Sequence, residues 1–156
     1  MRCKYNKNLQ VHGPMELNFN KIVNLKKVRI EKSKLSEEEN MLAMPILSDK
    51  KLIGEIYDIF CELLNDTQNI DSVSQRKKFL FIILYLFSPS TLAGGKMLCG
   101  LRDELAKVLK VQSKTTISDN CNDIVFLYQN YADFWKDINH FYPEIVNRLK
   151  NKGVIK

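Results

Sequence analysis

Phe79 to Phe87 is a run of nine consecutive apolar residues, FLFIILYLF, and no other feature of this 156-residue chain restricts its fold as much. Read as a helix, the run is apolar all round, so it has to sit at the centre of a core with other elements against every side. It is far shorter than the roughly 20 residues that a helix needs to cross a bilayer, so it predicts a buried core helix. Ser72 and Gln75 form a capping box ahead of it, and Arg76, Lys77 and Lys78 keep its first turns polar. With 45% apolar residues, the chain is long enough for a sizeable core and short enough for one domain with an appendage.

Other helices follow from periodicity. From Lys51 to Leu64 the apolar positions Leu52, Ile53, Ile56, Ile59, Phe60, Leu63 and Leu64 recur at helical spacing, with Glu55, Asp58 and Glu62 opposite. Ser48 or Asp49 can cap this helix, and Asn65–Asn69 reads as a polar loop. Ser88–Lys96 interrupts the chain after the apolar run. Its Gly94-Gly95-Lys96 lacks both the earlier glycine and the following Ser or Thr of a phosphate-binding loop, so an ordinary connector is expected. Tyr131–Phe141 continues an aromatic pattern. Pro143 then predicts the first turn of a last helix running to about Asn151, with Gly153 past its end. The aromatics Phe126, Tyr128, Tyr131, Phe134, Trp135, Phe141 and Tyr142 suit a core or a dimer seam better than a base-stacking platform, because no cation interleaves them before Lys136.

Residues 1–34 lack a helical apolar period. Met15–Asn20 and Val28–Glu31 alternate instead, which predicts two short strands or an extended arm, with Gly13-Pro14 breaking anything before them. Ser36 with Glu39 forms another capping box, predicting a short helix that Pro45 stops. In that frame Glu37, Glu38 and Glu39 lie in a first turn, where acids meet the helix dipole favourably. A solvated cap is therefore a better reading of them than a catalytic cluster.

The formal net charge is +6, and its distribution says more than its total. Residues 1–34 hold nine Lys/Arg against two acids, 35–71 hold two against nine, 72–114 hold eight against two, and the remainder is balanced at five each. Segregation of this kind points to charged surfaces that meet a partner or each other. If the acidic block neutralises the basic N-terminal segment, Arg76, Lys77, Lys78, Lys96, Arg102, Lys107, Lys110 and Lys114 are left as the main positive surface.

Cysteines 3, 61, 99 and 121 form no CxxC pair and have no histidine nearby, so neither a zinc site nor a disulfide framework is expected. Cys61 and Cys121 lie on apolar stripes and read as small buried hydrophobes. The N-terminus carries charge without a following apolar segment, and a cytoplasmic, reducing setting fits best. His12 and His140 have no partner at ligand or triad spacing, so the chain reads as a non-enzyme without metal or cofactor.

Gly100 to Tyr128 bears on function. Leu101, Leu105, Val108 and Leu109 share one helical face, with small Ala106 where a second helix can approach, and Ile117, Cys121, Ile124 and Val125 form a similar stripe after a polar break. Ser113 can cap the second helix, which extends over about 115–134. In outline the segment resembles the helix-turn-helix domains of bacterial and phage regulators, over about 30 residues of the chain. It departs from them where Lys110 stands in place of the usual turn glycine and where Ile117 falls one residue late, as in a Trp-repressor-like turn. Thr115, Thr116, Ser118 and Asn120 would then touch bases or sugars, while Arg102, Lys107, Lys110 and Lys114 hold phosphates. Asp119, Asp123 and Asp133 oppose that reading electrostatically, since the second helix itself has no cation.

The sequence thus predicts a mainly α protein: a multi-helix bundle over 35–156 with a helix-turn-helix-like unit at about 98–130, and a basic β or extended arm over 1–34. The function expected is a DNA-binding regulator of bacterial, phage or mobile-element type. It would be homodimeric, because one short recognition helix covers little duplex. Double-stranded DNA would be its partner, with no membrane and no cofactor. The alternative is a non-enzymatic assembly protein whose basic arm contacts the acidic segment of another copy.

Overall fold

A computed structural model describes residues 19–64 and 71–155. The chain divides into two units, Met1–Glu39 and Asn40–Lys156. No strand occurs among the described residues.

The first unit is represented by α1 (Phe19–Leu42), a helix of 24 residues whose last three belong to the second unit. Two expectations fail here. Val28–Glu31 is helical, and Ser36 lies inside α1 and does not cap it. The reason is that a four-residue alternation cannot separate a period of 2 from one of 3.6, whereas Lys, Arg, Glu and Leu are strong helix formers along the whole stretch. Glu37, Glu38 and Glu39 therefore stand near the C-terminal end of a helix, where the dipole disfavours acids. Gly13-Pro14, His12, Cys3 and most of Met15–Asn20 lie outside the described residues. None of the side chains of α1 is buried.

The second unit is built around α3 (Val73–Phe87), as the apolar run requires. Phe79, Leu80, Ile82, Ile83, Leu84, Leu86 and Phe87 are all buried. Each removes a large apolar side chain from water, worth about 2 kcal/mol before conformational entropy is subtracted. Ser72 caps α3, its hydroxyl accepting from the Gln75 amide at 3.2 Å. The other helices of this unit are α2 (Leu52–Leu63), the single turn α4 (Pro89–Leu92), α5 (Leu101–Val108), α6 (Lys114–Cys121), α7 (Ile124–Asn130) and α8 (Ala132–Asn151). α3 touches α2, α4, α6, α7 and α8, while the side that carries Phe81 and Tyr85 stays partly open, with Phe81 half-buried and Tyr85 exposed. The Leu86 carbonyl near its C-terminal end accepts from the Ile46 and Leu47 amides, both at 2.9 Å, and so pins the segment after Pro45.

Two boundaries differ from expectation. The stripe Ile117–Val125 is broken between α6 and α7, so the second helix of the pair is eight residues long rather than continuous to about 134. α8 begins at Ala132 and carries Pro143 in its interior, not in its first turn. Phe134, Ile138, Phe141, Ile145 and Leu149 are buried along one face of α8. Packing of that stripe outweighs the roughly 3 kcal/mol that an interior proline costs.

Opposite charges meet across the helices of this unit. Arg148 donates to Glu62 at 2.5 Å and Lys152 donates to Glu55, so the acidic face of α2 meets the basic end of α8. Lys77 reaches Asp123 and Lys78 reaches Asp137, each at 2.5 Å. Among the described residues no helix is long and apolar enough to cross a membrane.

Candidate nucleic-acid interface

α5 starts at Gly100, whose φ of +77° is a left-handed conformation that suits glycine. Lys50 anchors the preceding loop by donating to the Cys99 carbonyl at 2.9 Å. Leu101 and Leu105 turn inward, and Asp103 and Glu104 occupy the first turn, where the helix dipole favours acids. The helix ends in a Schellman motif: the Val111 amide donates to the Ala106 carbonyl at 3.0 Å and the Lys110 amide to Lys107 at 3.2 Å. This motif needs a left-handed residue between them, and Lys110 supplies it at φ +52°. Lys110 thus takes up at this turn the backbone geometry that glycine adopts most easily.

Ser113 then caps α6, its hydroxyl accepting from the Thr115 amide at 3.2 Å. Ile117 is fully buried against the core and fixes the rotation of α6. That rotation leaves Lys114 and Thr115 exposed and Thr116 and Ser118 more accessible than Ile117. It turns Asn120 inward, with only 8% of its surface exposed and its side-chain nitrogen without a hydrogen-bond partner. Asn120 is therefore not grouped with the other polar residues of α6 and does not present itself to a ligand outside.

The cations divide into two groups. Lys114 pairs with Asp103 at 2.6 Å across the turn, and Lys107 with Glu104 at 2.7 Å along α5. The hydrogen bond from Lys114 holds the Asp103 carboxyl below the usual carboxylate range, and Glu104 holds the Lys107 ammonium above its ordinary value. With Lys77 and Lys78 also paired, the segment 72–114 presents less unpaired positive charge than its composition suggests. Lys96, Arg102 and Lys110 remain exposed at the surface of this unit.

Arg102 and Lys96 also border a groove of about 680 Å³ between the 91–97 loop and the α5–α6 pair. Ser118, Cys121, Asn122 and Val125 form its other wall, and Gly94 and Gly95 its rim. Gly95 packs so closely on Ser90 that a Cβ would fall 2.8 Å from the Ser90 carbonyl oxygen. The Gly-Gly-Lys triplet is thus a tight connector after a helical turn, with no strand before it. Burial pushes the Cys121 thiol up to about 11, which makes it an inert apolar wall.

The acidic partners Asp103 and Glu104 do not figure in the sequence reading of the site. Glu104 and Lys107 stand at i,i+3 spacing, which is the signal that could have found them. The Lys114–Asp103 pair crosses the turn and depends on its geometry. Of the aromatics, Phe134 and Phe141 are buried and Tyr128 stacks on Phe81 at 4.6 Å, whereas Phe126, Tyr131 and Trp135 are exposed. Among the described residues no cluster of His, Cys, Asp and Glu is arranged to hold a metal. Compared with protein-family models, with curated proteins and with solved structures, the chain matches none of them.

Proposed function

We propose that the α5–α6 pair is a duplex-DNA-binding unit of a regulatory protein. The observation that carries this reading is the rotation of α6 set by buried Ile117. It leaves Lys114, Thr115, Thr116 and Ser118 accessible on the unit that also carries Lys110 and Arg102. In this reading Thr115 and Thr116 at the start of α6 approach base edges or sugars, and Ser118 follows them. Arg102, Lys107, Lys110 and Lys114 hold phosphates, with Lys107 and Lys114 exchanging their carboxylate partners for phosphate oxygens. Asn120 acts as an inward-facing residue. Because two of these lysines start from ion pairs, affinity rests most on Arg102 and Lys110.

The test is titration of a mixed-sequence duplex against salt, with wild type and Lys110→Glu/Lys114→Glu. The double variant is expected to weaken binding on all sequences and to lower the slope of log affinity against log salt by about 2, one for each phosphate no longer neutralised. Equal retention of duplex by both proteins at low salt would sink the assignment. Circular dichroism of the variant separates weakened binding from a damaged fold.

A second reading, a non-enzymatic assembly protein, is favoured by the exposed apolar side chains of α1. It does not exclude the first, since a regulator that reads two half-sites has to assemble.

A further inference from the structure

We propose that α1 is the seam by which two copies of this chain pair, running antiparallel through Leu25, Val28 and Leu35. The proposal rests on the assembly reading and supplies its contact surface and its orientation. It holds whether or not duplex is bound.

The first observation is the apolar surface that α1 exposes. The helix has 24 residues and not one of them is buried. Phe19 is 67% exposed, Leu35 65% and Leu42 75%, and Ile22, Leu25, Val28 and Ile30 are exposed as well. Helices draw most of their stability from packing against other elements, and a large exposed apolar surface marks an interaction site.

The second observation is where those side chains lie. At 100° per residue, Leu25, Val28, Leu35 and Leu42 fall on one side of the helix, at successive intervals of 3, 7 and 7 residues. That is the spacing of a coiled-coil seam, with Lys32 and Glu39 at the intervening seam positions, where polar residues set register and partner orientation. Phe19, Val23, Ile30 and Met41 lie on the opposite side and stay outside this seam, and Ile22 flanks it beside Leu25. Apolar residues on two opposite sides are a poor match for a membrane surface, which takes a single apolar face under a cationic one.

The third observation is the order of the charges, and it selects the occupant. Lys21, Lys26, Lys27, Arg29, Lys32 and Lys34 precede Glu37, Glu38 and Glu39 along α1, with Glu31 the single acid among the cations. The first turn has no acid and the last turn no base. The side-chain charges thus reinforce the macrodipole at both ends, which is unfavourable for a helix standing alone. A second copy running the opposite way lays its acidic end beside the basic end of the first, and the two macrodipoles then oppose each other. A parallel copy would set like charges side by side. In the register that puts Leu25 opposite Leu35 of the second copy, Lys21 falls opposite Glu39, so one alignment pairs these two leucines and the terminal charges, while Val28 faces Lys32 and Leu42 falls past the start of the partner's α1.

The experiment is sedimentation velocity on the full chain up to about 100 µM, a range that detects micromolar pairing. The expected result is a monomer–dimer equilibrium that Leu25→Asp/Leu35→Asp weakens by more than about a hundredfold, since each copy loses two seam leucines. These changes leave the core of residues 40–156 untouched, which an unchanged thermal transition verifies. Lys21→Glu or Glu39→Lys alone is expected to weaken the dimer by roughly three- to tenfold, and the two together in one chain to restore it. A chain that stays monomeric overturns both the seam and the assembly reading. A dimer indifferent to the aspartates overturns the seam alone and moves assembly to another surface. A dimer that the aspartates break and the charge swap fails to rescue overturns the antiparallel order.

Discussion

Lys110 occupies at the end of α5 the left-handed position that Gly153 occupies at the end of α8. In both places the chain closes with the same two bonds: Val111 to Ala106 and Lys110 to Lys107 in one, Val154 to Leu149 and Gly153 to Lys150 in the other. The φ values are +52° and +73°. For a residue with a Cβ that conformation costs roughly 1–2 kcal/mol and for glycine it does not, so the fold contains its own control.

Lys110→Gly is accordingly expected to stabilise the protein by about 1 kcal/mol, or about 3 °C in a thermal melt, while Gly153→Ala destabilises it by a similar amount. The same Lys110→Gly variant should weaken duplex binding if Lys110 holds a phosphate. Stability and binding moving in opposite directions would mark a residue kept for its charge at a position built for glycine. A gain in stability with no change in binding would remove Lys110 from the phosphate-holding residues.

Lys78 and Asp137 make the second prediction. The Lys78 side chain is 9% exposed and its ammonium meets Asp137 at 2.5 Å. Asp137→Ala strands a buried cation and is expected to cost about 3 kcal/mol in urea unfolding, whereas Lys78→Met removes the charge and keeps the volume and should cost about 1 kcal/mol or less. Equal costs for the two variants would show that the ammonium is solvated in solution.

The thiols give a pH dependence. Burial raises Cys121 from the ordinary 9.0 to about 11. Alkylation followed by peptide mapping should therefore label exposed Cys99 well before Cys121 at about pH 8. The Cys121 rate should keep climbing about tenfold per pH unit beyond the point at which an ordinary thiol levels off. Since the folded value lies above the unfolded one, the neutral thiol contributes stability that is fully present below 9.0 and lost as pH rises toward 11. Cys121→Ser should flatten that alkaline decline, and a decline of unchanged steepness would assign it to another group.

Much of the helical unit is legible in the amino-acid order. The run Phe79–Phe87 dictates a central helix because most of its side chains have to be buried, and the caps at Ser72 and Ser113 follow from hydroxyls placed ahead of apolar periods. α1 is illegible for a matching reason. Its apolar residues lie on two opposite sides, so no single stripe stands out to the eye, and Val28–Glu31 imitates a strand over four residues. The break between α6 and α7 escapes as well, since Ile117, Cys121, Ile124 and Val125 keep helical spacing straight through it.

Within the candidate site, the order of residues settles the identities that matter: a lysine where a turn wants glycine, a capping serine, hydroxyls and cations around a short helix. Which of them are available is settled by packing in three dimensions. Ile117 has to reach the core, so α6 is rotated until Asn120 points inward and Thr115 outward. The closure of the turn brings Lys114 to Asp103, eleven positions away in sequence. Composition counts charges, but their partners are assigned by the packing of apolar side chains elsewhere, because burial of those side chains sets the position of every helix on which the charges ride.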